Sequence, residues 1–217
     1  MNSESLVVDE DARRDVMLKH ERALWNSGIT LLAGVDEAGR GPLAGPVVAC
    51  AVVFSPEVFI PGVNDSKLLT PEEREELYDR ILNDAIAVGV GQANHTMIDR
   101  INILNATYRA MHEAVSRLSI RPEHLLIDGN RFESQGIPFT TIIDGDALSF
   151  SIAASSIVAK VTRDRIMVEF DKQFPGYGFA KHKGYATKEH REAIFKLGYC
   201  EIHRRSFVLN QQLEFDL

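Results

Sequence analysis

The chain of 217 residues has only two cysteines, Cys50 in an apolar stretch and Cys200 far from it. They form no metal or redox spacing, and such scarcity points to a reducing compartment. No run of 18 apolar residues is present, nor a basic segment leading into a short apolar one. Neither a membrane span nor a secretory leader is therefore expected, and the expected location is the cytoplasm. Internal repeats and low-complexity segments are absent, and no G-x-x-x-x-G-K-[ST] occurs, which excludes a P-loop nucleotidase. Positive charge is also short, with 24 Lys and Arg against 31 Asp and Glu and a net charge of −7. Taken as a sum, that balance argues against a nucleic-acid binder.

The distribution of charge reverses the argument. Residues 156–206 hold 11 Lys and Arg against 6 Asp and Glu, a segment of +5 in a chain whose remainder is −12. A basic C-terminal third, with His182, His190 and His203 in it, can supply phosphate contacts while the acidic remainder limits indiscriminate binding. With 45% hydrophobic residues the chain can bury one good-sized core.

Periodicity and punctuation predict a mixed α/β order. A helix is expected over 11–25, strands at 30–36 and 46–54, a helix over 70–83, a strand at 85–93, a helix over 97–118, and strands at 124–128 and 139–143. Thr70-Pro71-Glu72-Glu73 has the form of a capping box with proline in the first turn. One long helix is expected over 148–174, stopped by Pro175-Gly176, and a last one over 187–197 with Gly198 as its cap. On the long helix Phe150, Ile157, Val161 and Val168 suit a core, whereas Ser149, Ser156, Lys160 and Arg163 make a polar stripe on which a duplex can lie.

The chemistry concentrates in Asp36-Glu37-Ala38-Gly39-Arg40-Gly41-Pro42. Two carboxylates leave a buried strand, the end at which sheet proteins carry their sites. Adjacent strand residues point to opposite faces, so the chain is expected to bend there, or one residue to act through its carbonyl. Arg40 between Gly39 and Gly41 lies on backbone that can approach a ligand, beside N–H groups able to hold an anion. GRGPLA also fits the loose dinucleotide pattern, but Pro42, Gly45 and Pro46 leave no room for the required helix. Leu125-Leu126-Ile127-Asp128-Gly129 repeats the arrangement of apolar strand, carboxylate and glycine. Taken singly, each of these also reads as a polar turn, and Asp144 or Asp146 as a helix cap.

LAGVDEAGRGPLAGPVVA, LLIDGN, SIAASSIVAKVTRDR, HKGYATKEH and HRRSF follow one another over residues 29–207. Together they resemble the ribonuclease HII family (type 2 ribonuclease H). The resemblance implies a ribonuclease H-like mixed sheet flanked by helices with a C-terminal helical part, preceded by an N-terminal helical extension (1–28) and followed by a tail (208–217). It implies hydrolysis of RNA in RNA–DNA hybrids and cutting 5′ of ribonucleotides embedded in duplex DNA by a monomer. Asp36, Glu37, Asp128 and Asp146 are the implied ligands of two Mg²⁺ or Mn²⁺ ions, with Asp146 rather than Asp144 or Asp164 taken from the motif. Four carboxylates at one locus would repel one another without cations. Two ions would activate water and stabilise the leaving 3′ oxygen, giving 3′-hydroxyl and 5′-phosphate ends.

By the same resemblance Gly39, Arg40 and Gly41 read the 2′-hydroxyl through backbone groups, and Tyr185 packs on the sugar at the RNA-to-DNA junction. Lys67 and Arg163 are further candidates for phosphate contacts. Another two-metal nuclease of this fold acting on DNA is the alternative enzyme, but it needs no 2′-hydroxyl reader. A silent binding module would lack at least one carboxylate. Gln212-Leu213-Glu214-Phe215-Asp216-Leu217 is similar to the glutamine-led peptides that dock replication and repair enzymes on a sliding clamp, with Leu213, Phe215 and Leu217 as alternate anchors. A frayed terminus or a strand packed on the protein's own surface are the other readings.

Overall fold

The structure, a computed structural model, describes residues 3–56 and 58–207, so the tail from 208 lies outside the described residues. Helices α1 (Ser3–Met17) and α2 (Lys19–Asn26) come first. They replace the single helix expected over 11–25. The break falls at Leu18, where Met17 and Leu18 both turn into the core and are 2% exposed.

Strands β1 (Leu32–Ala38) and β2 (Val47–Val53), helix α3 (Pro71–Asp84), strand β3 (Ala87–Ala93), helix α4 (His95–Ser116), and strands β4 (His124–Asp128) and β5 (Phe139–Ile142) follow. The sheet order is β3-β2-β1-β4-β5, with β1–β2 and β2–β3 antiparallel and β1–β4 and β4–β5 parallel. Strand β1 starts two residues later than its apolar pattern suggests, because the Glu123 carboxylate takes the Thr30 and Leu31 N–H groups. The capping box at Thr70 and Glu73 is present. Helix α4 departs from a single rod at Asn102, where φ is 66° and the side chain re-caps the second half through Asn105 N–H.

Helices α5 (Gly145–Leu148), α6 (Phe150–Gln173), α7 (Phe179–His182) and α8 (Lys188–Leu197) complete the chain. Leu148 belongs to α5, so the long helix starts later than expected, at Phe150 with Ser149 as its cap. The β2 residues Val47, Ala49, Ala51 and Val53 face α4, and Cys50 and Val52 face α6, so the strand is apolar on both sides and buried throughout. Phe150 and Ile157 are fully buried under α6, each contributing about 2–3 kcal/mol of hydrophobic transfer. Close approach of α6 to the sheet requires Gly34, since a Cβ there would lie 2.1 Å from the Ser151 carbonyl carbon. A separate small core of Leu43, Ala44, Met167, Tyr177, Phe179, Ile194 and Ile202 joins the C-terminal segment to the loop after β1.

Candidate active site

The last parallel pair between β1 and β4 is Val35 with Ile127. One residue further along each strand come Asp36 and Asp128, carboxylates brought side by side by register alone. Of the two sequence-based alternatives, a bend or action through a carbonyl, β1 shows no interruption that would mark the first. Its antiparallel pairing with β2 continues through Glu37 with Ala49 and Ala38 with Val48. What opens instead is the other edge, where pairing to β4 has stopped, and both Asp36 and Glu37 line one cavity of about 230 Å³. Asp128, Asp146, Gly39, Arg40, Gly41, Lys67, Arg163 and Tyr185 line it too, so the candidate cation ligands, the glycine–arginine loop and the junction tyrosine border the same space.

Asp128 is fixed by accepting a 2.7 Å hydrogen bond from Gly145 N–H, which also holds the turn that presents Asp146. Asp144 is the left-handed residue before α5 and makes no side-chain cap, while Asp146 is buried in the first turn. Burial raises the Asp36 carboxyl well above its ordinary range, and the charges of Glu37 and Asp128 push it the same way, against a hydrogen bond from Ser156. Burial also raises Glu37, opposed by Arg40, whose guanidinium lies 3.3 Å away, and raises Asp128, opposed by the Gly145 N–H and aided by Asp146. Lys67 supplies positive charge: its ammonium is 3.1 Å from Asp146 and 3.8 Å from Asp65. Burial pulls the Lys67 pKa down, but the hydrogen bond and charge of Asp146 outweigh it and the net direction is up.

Hard oxygen donors that repel one another in a buried setting suit a hard divalent cation. Among the described residues, however, no three carboxylate, imidazole or thiol groups form a finished cation cage.

The glycine–arginine loop is held from beneath by two buried arginines. Arg204 donates to the carbonyls of Gly39 (2.6 Å), Arg40 (2.8 Å) and Gly45 (3.0 Å). Arg163 donates to Pro46, Ala44 and Lys183 carbonyls. Gly39 has φ +97°, and a Cβ there would sit 2.0 Å from Arg163 Nε, so glycine is required twice over. Arg163 is 1% exposed and belongs to the support of the loop, not to an open stripe on α6. Ser149 is likewise buried, donating to Glu21. Arg204 was missed by sequence reasoning as a site residue, although it stands in the HRRSF motif. Ser66, hydrogen-bonded to Ser156 at 3.0 Å, was missed with it.

Tyr185 stands 43% exposed at the rim, its ring 5.9 Å from the Arg163 guanidinium and close to Gly41. The three histidines assigned to phosphate contacts are buried instead, His182 at 8% and His190 and His203 at 0% exposure.

Comparison with known proteins bears on the family and the fold. The Ribonuclease HII family model matches residues 33–210. Ribonuclease HII of Geobacter metallireducens is 56% identical over 194 residues, covering 86% of this chain and 91% of its own. Among solved structures, ribonuclease H2 of Pyrococcus horikoshii OT3 superposes with a TM-score of 0.69 at 27% identity, over 82% of this chain and 93% of that one. The ribonuclease HII of Archaeoglobus fulgidus, solved as a complex with PCNA, gives 0.72 at 26% identity over 83% and 96%. The motifs in order, the mixed sheet with its carboxylates at the β1 and β4 ends, and the match over most of the length make this chain a member of the ribonuclease HII family, metal-dependent endoribonucleases that act on RNA paired with DNA.

Proposed function

We propose that the protein cuts on the 5′ side of ribonucleotides embedded in duplex DNA, as well as within RNA–DNA hybrids, and that it uses two divalent cations to do so. The observation that carries this reading is the convergence of Asp36, Glu37, Asp128 and Asp146 on one cavity beside Gly39-Arg40-Gly41 and Tyr185. These carboxylates are the residues that would hold Mg²⁺ or Mn²⁺. Such ions take one or two carboxylates each from a protein and complete their shell with substrate phosphate and water. Bound there, the ions supply activation of the attacking water and stabilisation of the leaving 3′ oxygen, leaving 3′-hydroxyl and 5′-phosphate ends.

The rest falls to the chain. Lys67, paired with Asp146, offsets negative charge and has an ammonium free to turn to a phosphate. The carbonyls of Gly39 and Arg40 are occupied by Arg204, which fixes the loop so that its remaining backbone groups meet a 2′-hydroxyl at a constant position. Tyr185, exposed beside Gly41, is the ring that would pack on the sugar at the RNA-to-DNA junction, and its exposure supports that reading.

The deciding experiment offers duplex DNA with one ribonucleotide, an all-DNA duplex and an RNA–DNA hybrid, each with Mg²⁺, Mn²⁺ or EDTA. Cutting 5′ of the lone ribonucleotide that EDTA abolishes is the expected result. Equal cutting of the all-DNA duplex would transfer the reading to a DNA nuclease. For the tail Gln212–Leu217, outside the described residues, the archaeal relative solved with PCNA supports a clamp-docking role. A titration of clamp with the full chain and with one ending at Asn210 tests it, and equal binding by both sinks it.

A further inference from the structure

His182, His190 and His203 are buried around Phe179, with the His182 and His190 rings stacked at 4.4 Å. His190 and His203 meet Nε2 to Nε2 at 3.1 Å. At the far end of this row His190 Nδ1 lies 2.9 Å from the Tyr185 carbonyl oxygen, and at the near end Cys200 N–H lies 3.0 Å from His203 Nδ1. A carbonyl only accepts and an amide N–H only donates, so the ends dictate where the protons lie. His190 must carry its proton on Nδ1, which leaves Nε2 to accept from His203 Nε2–H, which in turn leaves His203 Nδ1 to accept from Cys200. His182 is ordered in the same way: Nδ1 accepts from Gly184 N–H at 3.1 Å and Nε2–H donates to the Tyr177 carbonyl at 2.7 Å.

This row ends on the segment that carries Tyr185. Lys183 and Gly184 both have left-handed backbone, with φ of 52° and 84°. Their turn is held by Arg163 on the Lys183 carbonyl, Leu43 N–H on the Gly184 carbonyl, and His182 on Gly184 N–H. We propose that His190, backed by His203, is a positioning residue for Tyr185, fixing the ring's backbone through a neutral, single-tautomer imidazole row. This rests on the reading of Tyr185 as the group that packs at the junction. The surroundings agree. The groups facing the row are the Tyr177 and Tyr199 rings, the Cys200 thiol and the Arg205 guanidinium, and among the described residues no carboxylate hydrogen-bonds to any of the three rings. Burial lowers both His190 and His203 to about 4, so charge on either is disfavoured near neutral pH.

Nitrogen-15 NMR of the imidazoles in the full chain reads the tautomers directly. His190 is expected as the Nδ1–H form and His203 as Nε2–H, both unchanged between pH 8 and pH 6, and His182 as Nε2–H at pH 8. An Nε2–H His190, or a charged His190 or His203 in that range, overturns the row. Kinetics on a duplex with a single ribonucleotide then separate positioning from mere packing. His190→Leu removes the side-chain donor and leaves the Tyr185 carbonyl only Thr187 N–H at 2.8 Å, whereas His190→Asn keeps an amide nitrogen near the Nδ1 position. His190→Leu should lower kcat about tenfold with KM nearly constant. His190→Asn should recover most of that at an equal melting temperature, and His190→Leu should cost little more in a Tyr185→Ala background. Equal losses in both His190 variants that merely follow melting temperature overturn the proposal. So does an impaired Tyr185→Ala beside an unimpaired His190→Leu. Full activity of Tyr185→Ala removes the reading of Tyr185, and the positioning role with it, whatever tautomers are seen.

Discussion

Asp36 stands where burial and like charge act in the same direction, and the hydrogen bonds it accepts from Glu37 N–H (2.7 Å) and Ser156 offset them only in part. Its charge is therefore held at a cost in the cation-free protein, and so is that of Asp128. Asp36→Asn and Asp128→Asn should each lower cleavage by about a hundredfold or more, roughly 2.7 kcal/mol of barrier, while leaving the melting temperature of the cation-free protein equal or higher. Near-normal turnover in either variant would remove it from the ligand set. The arginines divide in the opposite sense. Arg204→Ala strips three buried carbonyls of their donor and should cost about 3 kcal/mol of stability in a denaturant melt. Arg40→Ala, on a side chain 52% exposed, should change stability by less than about 0.5 kcal/mol and show itself only in rate or in ribose discrimination.

Helix α6 is joined to strand β1 at a glycine and to helix α2 by a glutamate, each far in sequence from the residues it meets. Gly34→Ala forces a methyl into the Ser151 backbone and should destabilise by about 1–3 kcal/mol, with melting measured in the absence of substrate. Glu21 reaches from α2 to the start of α6, where its Oε1 accepts from the Ser149 hydroxyl at 2.6 Å and Ser151 N–H at 2.9 Å. A carboxylate there also meets the positive end of the helix, although burial still raises its pKa. Glu21→Ala should cost about 2 kcal/mol and Glu21→Gln less. If α1 and α2 were an appendage without a part in the fold, both variants would melt with the parent protein.

At the scale of the whole molecule the C-terminal segment carries two buried imidazoles, His190 and His203, whose neutral form the fold favours, and this sets an acid limit. His190 and His203 titrate near 6.5 when unfolded and near 4 in the fold. The unfolded chain thus binds more protons between those values. Their contribution to stability is whole above about pH 6.5, falls as pH drops toward about 4, and levels off below. Denaturant melts from pH 7.5 to 4 should show this slope, and His190→Asn should flatten it. A parent protein with no loss of stability between pH 6.5 and 4.5 would contradict the neutral assignment. No described helix is long and apolar enough to cross a membrane.

Much of this was legible in the sequence because it depends on local chemistry. The capping box at Thr70, the Gly198 cap, the apolar run of β2 and the carboxylates at two strand ends follow from short-range patterns. The pairing of Asp36 with Asp128 did not, since the register of β1 beside β4 is set by contacts across 90 residues of chain. Nor did the fate of the basic third. Lysines such as Lys181 and Lys188 stay at the surface, but Arg163 and Arg204 are drawn inward because six backbone carbonyls of the loops around the site need donors there. The histidines follow them, since a buried ring between an amide and a carbonyl is better neutral than charged. Sequence alone decided which residue types the protein has for cutting a phosphodiester. Tertiary structure decided which of them face the cavity and which hold it in shape, because burial and hydrogen-bond demand exist only once distant segments have met.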